Sequence, residues 1–550
     1  MMHRRNTGNL LLCALSLLLL AFISPALADS GAAASAAVAS TAALPVSYFV
    51  LIDAGSTGSR AHVHEYRVDP NRPLPLVEES KNKKIRPGLS SYAPAPPKAA
   101  ESIQDLLAFI KETVPQSHWS RTPIQVHATA GLRSVTPAEA SAVLEVVRDE
   151  LSRSGFLFER HWARVISGEQ EGINGWMAVN YLLGVFDQPA PSSKDGKAVA
   201  VPPPPSTGVV EMGGSSMQIT FSPSNPSDDD RKQLNEVRVG GHSYFLYTHS
   251  FLQYGLQAAE KLYQRLAIAE IEEKGNPCYP PRFRHSSAGD FERCTVSLAG
   301  VVDKSIACPA AHCSFNGVYQ PRITNEQFLA IENFFYTAKF FGTALEHDVA
   351  PAAAASSAPP TGNQVISGLR AKGKEFCNQD WTALVEVHKG TSQDELKAFC
   401  FSAAYQTVVL ESGLGFSADT NLRVAKTIGG KGIDWEMGAV LFELMPKDEH
   451  RLAREQEERI NAKRQFVFDD AEGLRRVVNV DNDPSLTLPL GGLGSRRGAA
   501  EEGGVCTKCL WYTLLVAVGA VVAYFVYRRY AASRKGGMIH SYSQAAFNRV

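Results

Sequence analysis

Two short segments carry the residue types that phosphate chemistry needs. In DAGSTGSR (53–60) and EMGGSS (211–216) a carboxylate, Asp53 or Glu211, closes an apolar run and opens a turn of glycine and hydroxyl residues. Successive small residues point several backbone N–H groups at one anion, a nest suited to phosphate. Carboxylates cannot bind phosphate, but two of them on facing turns can hold a hydrated divalent cation that does. Mg²⁺ and Ca²⁺ both prefer oxygen shells, and Mg²⁺ keeps several of its waters. A third segment, SGEQEGINGWMAVNYLLG (167–184), puts Glu169 and Glu171 at the start of a helical pattern. The helix dipole alone favours acidic residues there. A carboxylate beside a metal-bound phosphate can also orient and deprotonate a water for in-line attack. Such transfer relies mainly on positioning and charge neutralisation.

These residues need a scaffold that brings distant segments together. YFVLIDAGSTGSRAHVHEY (48–66) is echoed by TGVVEMGGSSMQITF (207–221), with Asp53 and Glu211 separated by 158 residues. Each is a β-branched run, a carboxylate, a small-residue turn and an alternating strand, which reads as a hairpin. The repeat at a domain-sized offset predicts two related lobes. A strand at 124–130 and helices near 140–153, 251–272 and 325–346 make the pattern α/β.

The ends point to a membrane-anchored lumenal or extracellular protein of the secretory pathway, in the Golgi or at the cell surface. MMHRR, an apolar run and Ala26-Leu27-Ala28 describe a signal peptide over 1–28. Residues 510–527 lack charge, have Trp511, Tyr512, Tyr524 and Tyr527 at their ends, and precede Arg528 and Arg529. That predicts one transmembrane helix with a cytosolic tail over 528–550. Between them the expected order is an Ala/Ser-rich spacer (29–47), a first lobe (48–205), a second lobe (206–430), a return segment to the first (431–482) and a stalk (483–509). Segments 192–206 and 350–361 read as surface insertions or linkers. Cys278, Cys294, Cys308, Cys313, Cys377 and Cys400 admit fifteen pairings, and the expectation is sequence neighbours: 278–294, 308–313 and 377–400. Cys506 and Cys509, a lone CxxC, lack the second pair a zinc site needs. With 55 basic against 56 acidic residues and a pI near 6.9, the chain lacks the footprint of a nucleic-acid binder.

Four ordered segments, DAGSTGSR (53–60), ATAGLR (128–133), SGEQEGINGWMAVNYLLG (167–184) and EMGGSSMQITF (211–221), resemble the apyrase family. That family comprises nucleoside triphosphate diphosphohydrolases of cell surfaces and nucleoside diphosphatases of the Golgi. RPGLSSYA (86–93), YTHSFLQYG (247–255), SFNGVYQP (314–321) and DWEMGA (434–439) are supporting matches, so the likeness runs over about 48–445. It implies two actin-like, RNase H-like lobes with the nucleotide between them, and Mg²⁺- or Ca²⁺-dependent hydrolysis of nucleoside tri- and diphosphates by direct attack of water.

By the same resemblance Glu171 is the general base, and Ser216 and Gln218 hold the attacking water. Asp53 and Glu211 hold the metal through its waters. Ser56, Thr57, Gly58, Ser59, Gly213, Gly214 and Ser215 cradle phosphates, with Arg60 and Arg133 as phosphate-side cations and bracing of the loop as the alternative for Arg133. In FFYTAKFF (334–341), Tyr336 is the candidate for the nucleobase, with Phe335 and plain core packing as rivals. The sequence departs from the family at Glu211, where the fourth motif normally has Asp. The charge is kept but lies about one methylene further out, and a shift near 1 Å can cost roughly a hundredfold where geometry is tight. An exopolyphosphatase-like hydrolase, a sugar kinase and an inactive nucleotide-binding protein are the alternatives.

Overall fold

Why the two hairpins can face one another follows from how each sheet grows. In the computed structural model the described residues are 44–445, without 189–201, 285, 309, 325, 344–347, 352–363 and 418, together with 455, 458, 465–469 and 475–479. The expected signal, stalk, transmembrane segment and tail lie outside them. Among the described residues no helix is long and apolar enough to cross a membrane.

The first sheet has five strands: β1 (Ser47–Ala54), β2 (Ser59–Arg67), β3 (Leu76–Ile85), β4 (Ile124–Ala128) and β5 (Ala163–Val165). They are ordered β3-β2-β1-β4-β5. Tight turns make β1 to β3 an antiparallel meander, whereas β4 and β5 add in parallel and so need crossovers. Helices α1 (Ala99–Thr113), α2 (Ala130–Arg133) and α3 (Pro137–Ser152) lie in those crossovers. On α1, Ile103, Leu106, Leu107 and Ile110 form the i, i+3, i+4, i+7 stripe that packs on Val50, Ile52 and Val126. Thr136 caps α3 in a reciprocal box with Glu139. Helix α4 (Gly168–Leu182) then leaves this sheet.

The second sheet repeats the order. It contains β6 (Gly208–Met212), β7 (Ser216–Phe221), β8 (Asn235–Val239), β9 (His242–Leu252), β10 (Gln327–Glu332) and, past the two-residue β11 (Asp348–Val349), β12 (Asn421–Val424). Its order is β12-β10-β6-β7-β9-β8. Thus β6, β7, β9, β10 and β12 stand where β1 to β5 stand in the first sheet, and β8 extends the edge. Helices α5 (Leu256–Leu266), α6 (Asn333–Phe341), α7 (Gln364–Cys377) and α8 (Phe399–Val408) belong to this half. Strands β11, β13 (Thr427–Ile428) and β14 (Lys431–Gly432) form a small sheet, and β15 (Gln465–Asp469) pairs with β16 (Arg475–Asn479).

Two expected helices are shorter than the sequence suggests. Residues 251–252 end β9, and 327–332 are β10, because the continuous apolar run of a buried strand is indistinguishable by periodicity from a buried helix. The three neighbour disulfides are present: Cys278–Cys294, Cys308–Cys313 and Cys377–Cys400.

The last helical element among the described residues is α9 (Trp435–Leu444). Although α4 follows the first sheet, it packs on β6, β7 and β9 of the second; α9, which follows the second sheet, packs on α4 and reaches β1 and β3. The shared core joins Phe49 and Leu51 to Ile173, Trp176, Met177, Val209, Ile331, Trp435 and Val440. The two helices cross so closely that a Cβ on Gly438 would lie 1.9 Å from the Asn174 carbonyl oxygen.

Candidate active site

The equivalent strands β1 and β6 each carry a carboxylate one residue before their end, Asp53 and Glu211. Their cross-strand partners are Arg60 and Gln218. The turns that follow come together. A Cβ on Gly214 would sit 3.2 Å from Ser56 Oγ and 3.5 Å from Thr57 Cγ2. Glycines elsewhere make this approach possible. A Cβ on Gly131, at the start of α2, would fall 2.9 Å from Ser56 Cα, and one on Gly88 would fall 2.3 Å from the Gly55 carbonyl. Ser56, Thr57 and Gly58 thus lie in a turn held between α2 and the 86–93 segment, with Ser59 buried at the start of β2. In the second turn the Gly213 N–H donates to the Ser216 carbonyl at 3.0 Å, closing the hairpin. That donor is engaged within the hairpin, and Gly214 and Ser215 form its tip.

Glu171 is buried in the first turn of α4, where the Ser167 hydroxyl caps the helix by accepting from the Gln170 N–H. Its Oε2 accepts from the Arg133 guanidinium and from Gln218 Nε2, the latter at 3.2 Å. Gln218 Nε2 also lies 2.8 Å from Ser216 Oγ and 3.0 Å from Ser250 Oγ. Residues expected at opposite ends of the sequence motifs, Arg133, Glu171, Ser216 and Gln218, are therefore in one hydrogen-bonded group. Glycine again permits it: a Cβ on Gly168 would meet Ser250 Oγ at 2.0 Å and Arg133 Nη1 at 2.4 Å.

The electrostatics are those of a crowded buried acid site. Burial pushes Asp53 well above the usual carboxylate range, and Glu436 and Glu171 reinforce this against His62 and Arg60. Glu211 is raised likewise by burial and then by Glu171, Glu332, Glu436 and Asp53. Burial raises Glu171 as well, with Arg133 opposing. Asp53 Oδ1 and Glu211 Oε2 are buried without a hydrogen-bond partner among the described residues. Among those residues no set of three or more His, Cys, Asp or Glu is gathered closely enough to hold a metal directly.

Three participants went unrecognised in the sequence. Glu436 on α9 pairs with His62 on β2 at 3.0 Å, both buried. Glu332, at φ +60°, ends β10 in a backbone region that disfavours side chains, and burial together with Glu436 raises its carboxyl. Ser250 on β9 is the third. The DWEMGA and YTHSFLQYG segments were visible, but nothing in them marks which residue turns inward.

Arg60 is half-buried and lies 3.6 Å from Asp434 at the start of α9. Arg133 is buried on Glu171, so its first partner is that carboxylate. Phe335 packs in the core of the second half, only 2% exposed. Tyr336, 48% exposed, is set against Phe335 with ring centroids 5.6 Å apart. Burial and the Glu332 carboxylate push its phenol up while Arg60 opposes, placing it beside the acid cluster.

The chain is 33% identical over 433 residues to a probable apyrase 3 of Arabidopsis thaliana, covering 72% of this chain and 82% of that one. It is 28% identical over 446 residues to ectonucleoside triphosphate diphosphohydrolase 1 of Bos taurus, covering 72% and 82%. It is 29% identical over 429 residues to a guanosine-diphosphatase of Schizosaccharomyces pombe, covering 72% and 73%. Among solved structures, nucleoside triphosphate hydrolases of Neospora caninum share the fold with a TM-score of 0.53 and 16% identity, covering 79% of this chain and 99% of that one. Residues 41–456 match the GDA1/CD39 (nucleoside phosphatase) family, and the chain belongs to it.

Proposed function

We propose that the protein is an apyrase-type enzyme that hydrolyses nucleoside tri- and diphosphates with Glu171 as general base. The observation that carries this is the position of Glu171. It is buried, and the Arg133 guanidinium and Gln218 Nε2 both donate to its Oε2, so neither engages Oε1. Burial lifts its proton affinity toward working pH, which suits a base, while Arg133 keeps the carboxylate in place. Ser216 and Gln218 position the water. It attacks the terminal phosphorus, its proton passes to Glu171, and the bond to the bridging oxygen breaks to release inorganic phosphate and the shortened nucleotide. Ser56, Thr57, Gly58, Ser59, Gly214 and Ser215 hold the phosphates, and Tyr336 stacks on the base.

The partnerless, buried Asp53 Oδ1 and Glu211 Oε2 fit a divalent cation held through its waters. Mg²⁺ or Ca²⁺, when bound, would neutralise phosphate charge. Two actin-like lobes separated by a nucleotide cleft, and a catalytic part held in the lumen or outside the cell by a single span at 510–527, complete the reading. Phosphate release from ATP, ADP, GDP and UDP tests it: Glu171→Ala should remove turnover by at least about a thousandfold while nucleotide binding persists. Substantial residual turnover would remove Glu171 from the role.

A further inference from the structure

Sequence motifs supply two carboxylates for the cation, yet a third reaches the same place from the far end of the chain. Glu436 is in the first turn of α9 and only 3% exposed. Its Oε1 lies 3.0 Å from His62 Nε2, and its Oε2 is buried with no hydrogen-bond partner. His62 is two residues after Arg60 on β2, so both point to the face that carries Asp53, the cross-strand partner of Arg60. Arg60 in turn lies 3.6 Å from Asp434, which seats the start of α9 over that face. On the other side, the Cβ that Gly175 lacks would be 3.2 Å from Glu211 Oε2 and 3.9 Å from Trp435 Cβ. Gly175 thus has both Glu211 Oε2 and the residue before Glu436 as neighbours.

We propose that Glu436 is a third carboxylate of the divalent-cation site, holding the hydrated ion from α9 together with Asp53 and Glu211. The inference rests on the metal-dependent reading above. A brace between α9 and β2 needs only the oxygen that meets His62. It gives no reason to bury the second oxygen unpaired, which costs on the order of 1–3 kcal/mol or more for a charged group. Asp53, Glu211 and Glu436 each present one such oxygen, and the three carboxyls act on one another electrostatically. Mutually repelling oxygens without donors are stabilised by a cation. Because the described residues gather no direct cage, the ion keeps its water shell and the carboxylates accept from those waters. This is the mode in which Mg²⁺ usually sits.

The test uses the full chain in detergent without nucleotide, with Mn²⁺ as the paramagnetic stand-in for Mg²⁺ and free Mn²⁺ read by electron paramagnetic resonance. Glu436→Gln keeps an acceptor for His62 and removes one charge. It should weaken Mn²⁺ binding at least about tenfold, since affinity at oxygen sites follows ligand charge, and leave the melting temperature without cation unchanged or higher. Wild-type Mn²⁺ affinity in Glu436→Gln overturns the proposal. Should that variant fail to fold, Glu436→Asp keeps the charge but shortens its reach. It should lose at least about threefold in affinity, and no loss again overturns the role. Asp53→Asn separates the two levels. If it loses Mn²⁺ and Glu436→Gln does not, only Glu436 is excluded. If the wild type binds no cation and hydrolyses nucleotide without one, the metal-dependent reading fails along with this proposal.

Discussion

Replacing Gly438 with alanine probes the crossing of α4 and α9 more directly than any change in the site itself. The new Cβ would lie 1.9 Å from the Asn174 carbonyl oxygen and 2.7 Å from its carbon. These are backbone atoms, so no side chain can swing away. Real Cβ atoms essentially never approach below 3.0 Å, so the helices must part by at least about 1.1 Å. Asn174 is one turn beyond Glu171 on α4, and Gly438 is two residues beyond Glu436 on α9. The separation is therefore passed straight to the carboxylates. Overpacking of this kind costs about 1–3 kcal/mol, and a displacement near 1 Å lowers turnover roughly a hundredfold. Phosphate release and thermal unfolding of Gly438→Ala should show both effects. Gly300→Ala is the control, because a Cβ there meets nothing within 4 Å. A Gly438→Ala enzyme with turnover and melting temperature both like the wild type would refute the claim that the crossing sets the site.

The longer carboxylate of Glu211 fits because Gly175 has no Cβ, which would lie 3.2 Å from its Oε2. Glu211→Asp should raise turnover or change the Mg²⁺/Ca²⁺ activity ratio. Gly175→Ala should impair the wild type yet be nearly silent in Glu211→Asp; simple additivity would break that link. Burial, reinforced by Arg164, holds His127 well below 6.5, so it stays neutral when folded. The unfolded chain takes up that proton below about 6.5, so the stability is present above that pH and lost as pH falls. His127→Gln should flatten the acid side of a stability profile taken by denaturant unfolding, and an unchanged slope would discount the residue. Tyr336→Ala should raise KM for nucleotide with little change in kcat. Phe335→Ala should instead destabilise by about 3–5 kcal/mol, and the reverse pattern would exchange their roles.

Local signals explain what the sequence made legible. A β-branched run, a carboxylate and a small-residue turn specify a hairpin over a dozen residues, so β1–β2 and β6–β7 could be read, along with their repeat. The disulfides were legible because short loops pair neighbours. The chemistry placed on Asp53, Glu171 and Glu211 came from the same local motifs, and the structure brings those residues within electrostatic reach of one another. Long-range partners left no such mark. His62 and Glu436 meet because α9 returns to the first sheet; a return was expected over 431–482, but neither residue's neighbours in sequence foretell this pair. Nor could the aromatic-rich α6 reveal that Phe335 faces the core and Tyr336 the outside, since apolar residues lie on all its sides. The buried strand β10 looked helical for a related reason: with both faces covered, it loses the alternation that identifies a strand.

The exchange of helices between the sheets also imposes an order in time. A chain made from its N-terminus can lay down β1 to β5 early, but the helix that covers β1 and supplies the partner of His62 is the last described one. Until Trp435–Leu444 emerges, that face of the first sheet stays uncovered, and α4 waits for β6, β7 and β9 before it can dock. Neither half can therefore reach its final state during synthesis without the other. A chain terminated just before α9 would expose the apolar face containing Phe49 and Leu51 and lose the Glu436–His62 pair. Such a product should be recognised by quality control as unfinished, even with every phosphate-binding motif intact.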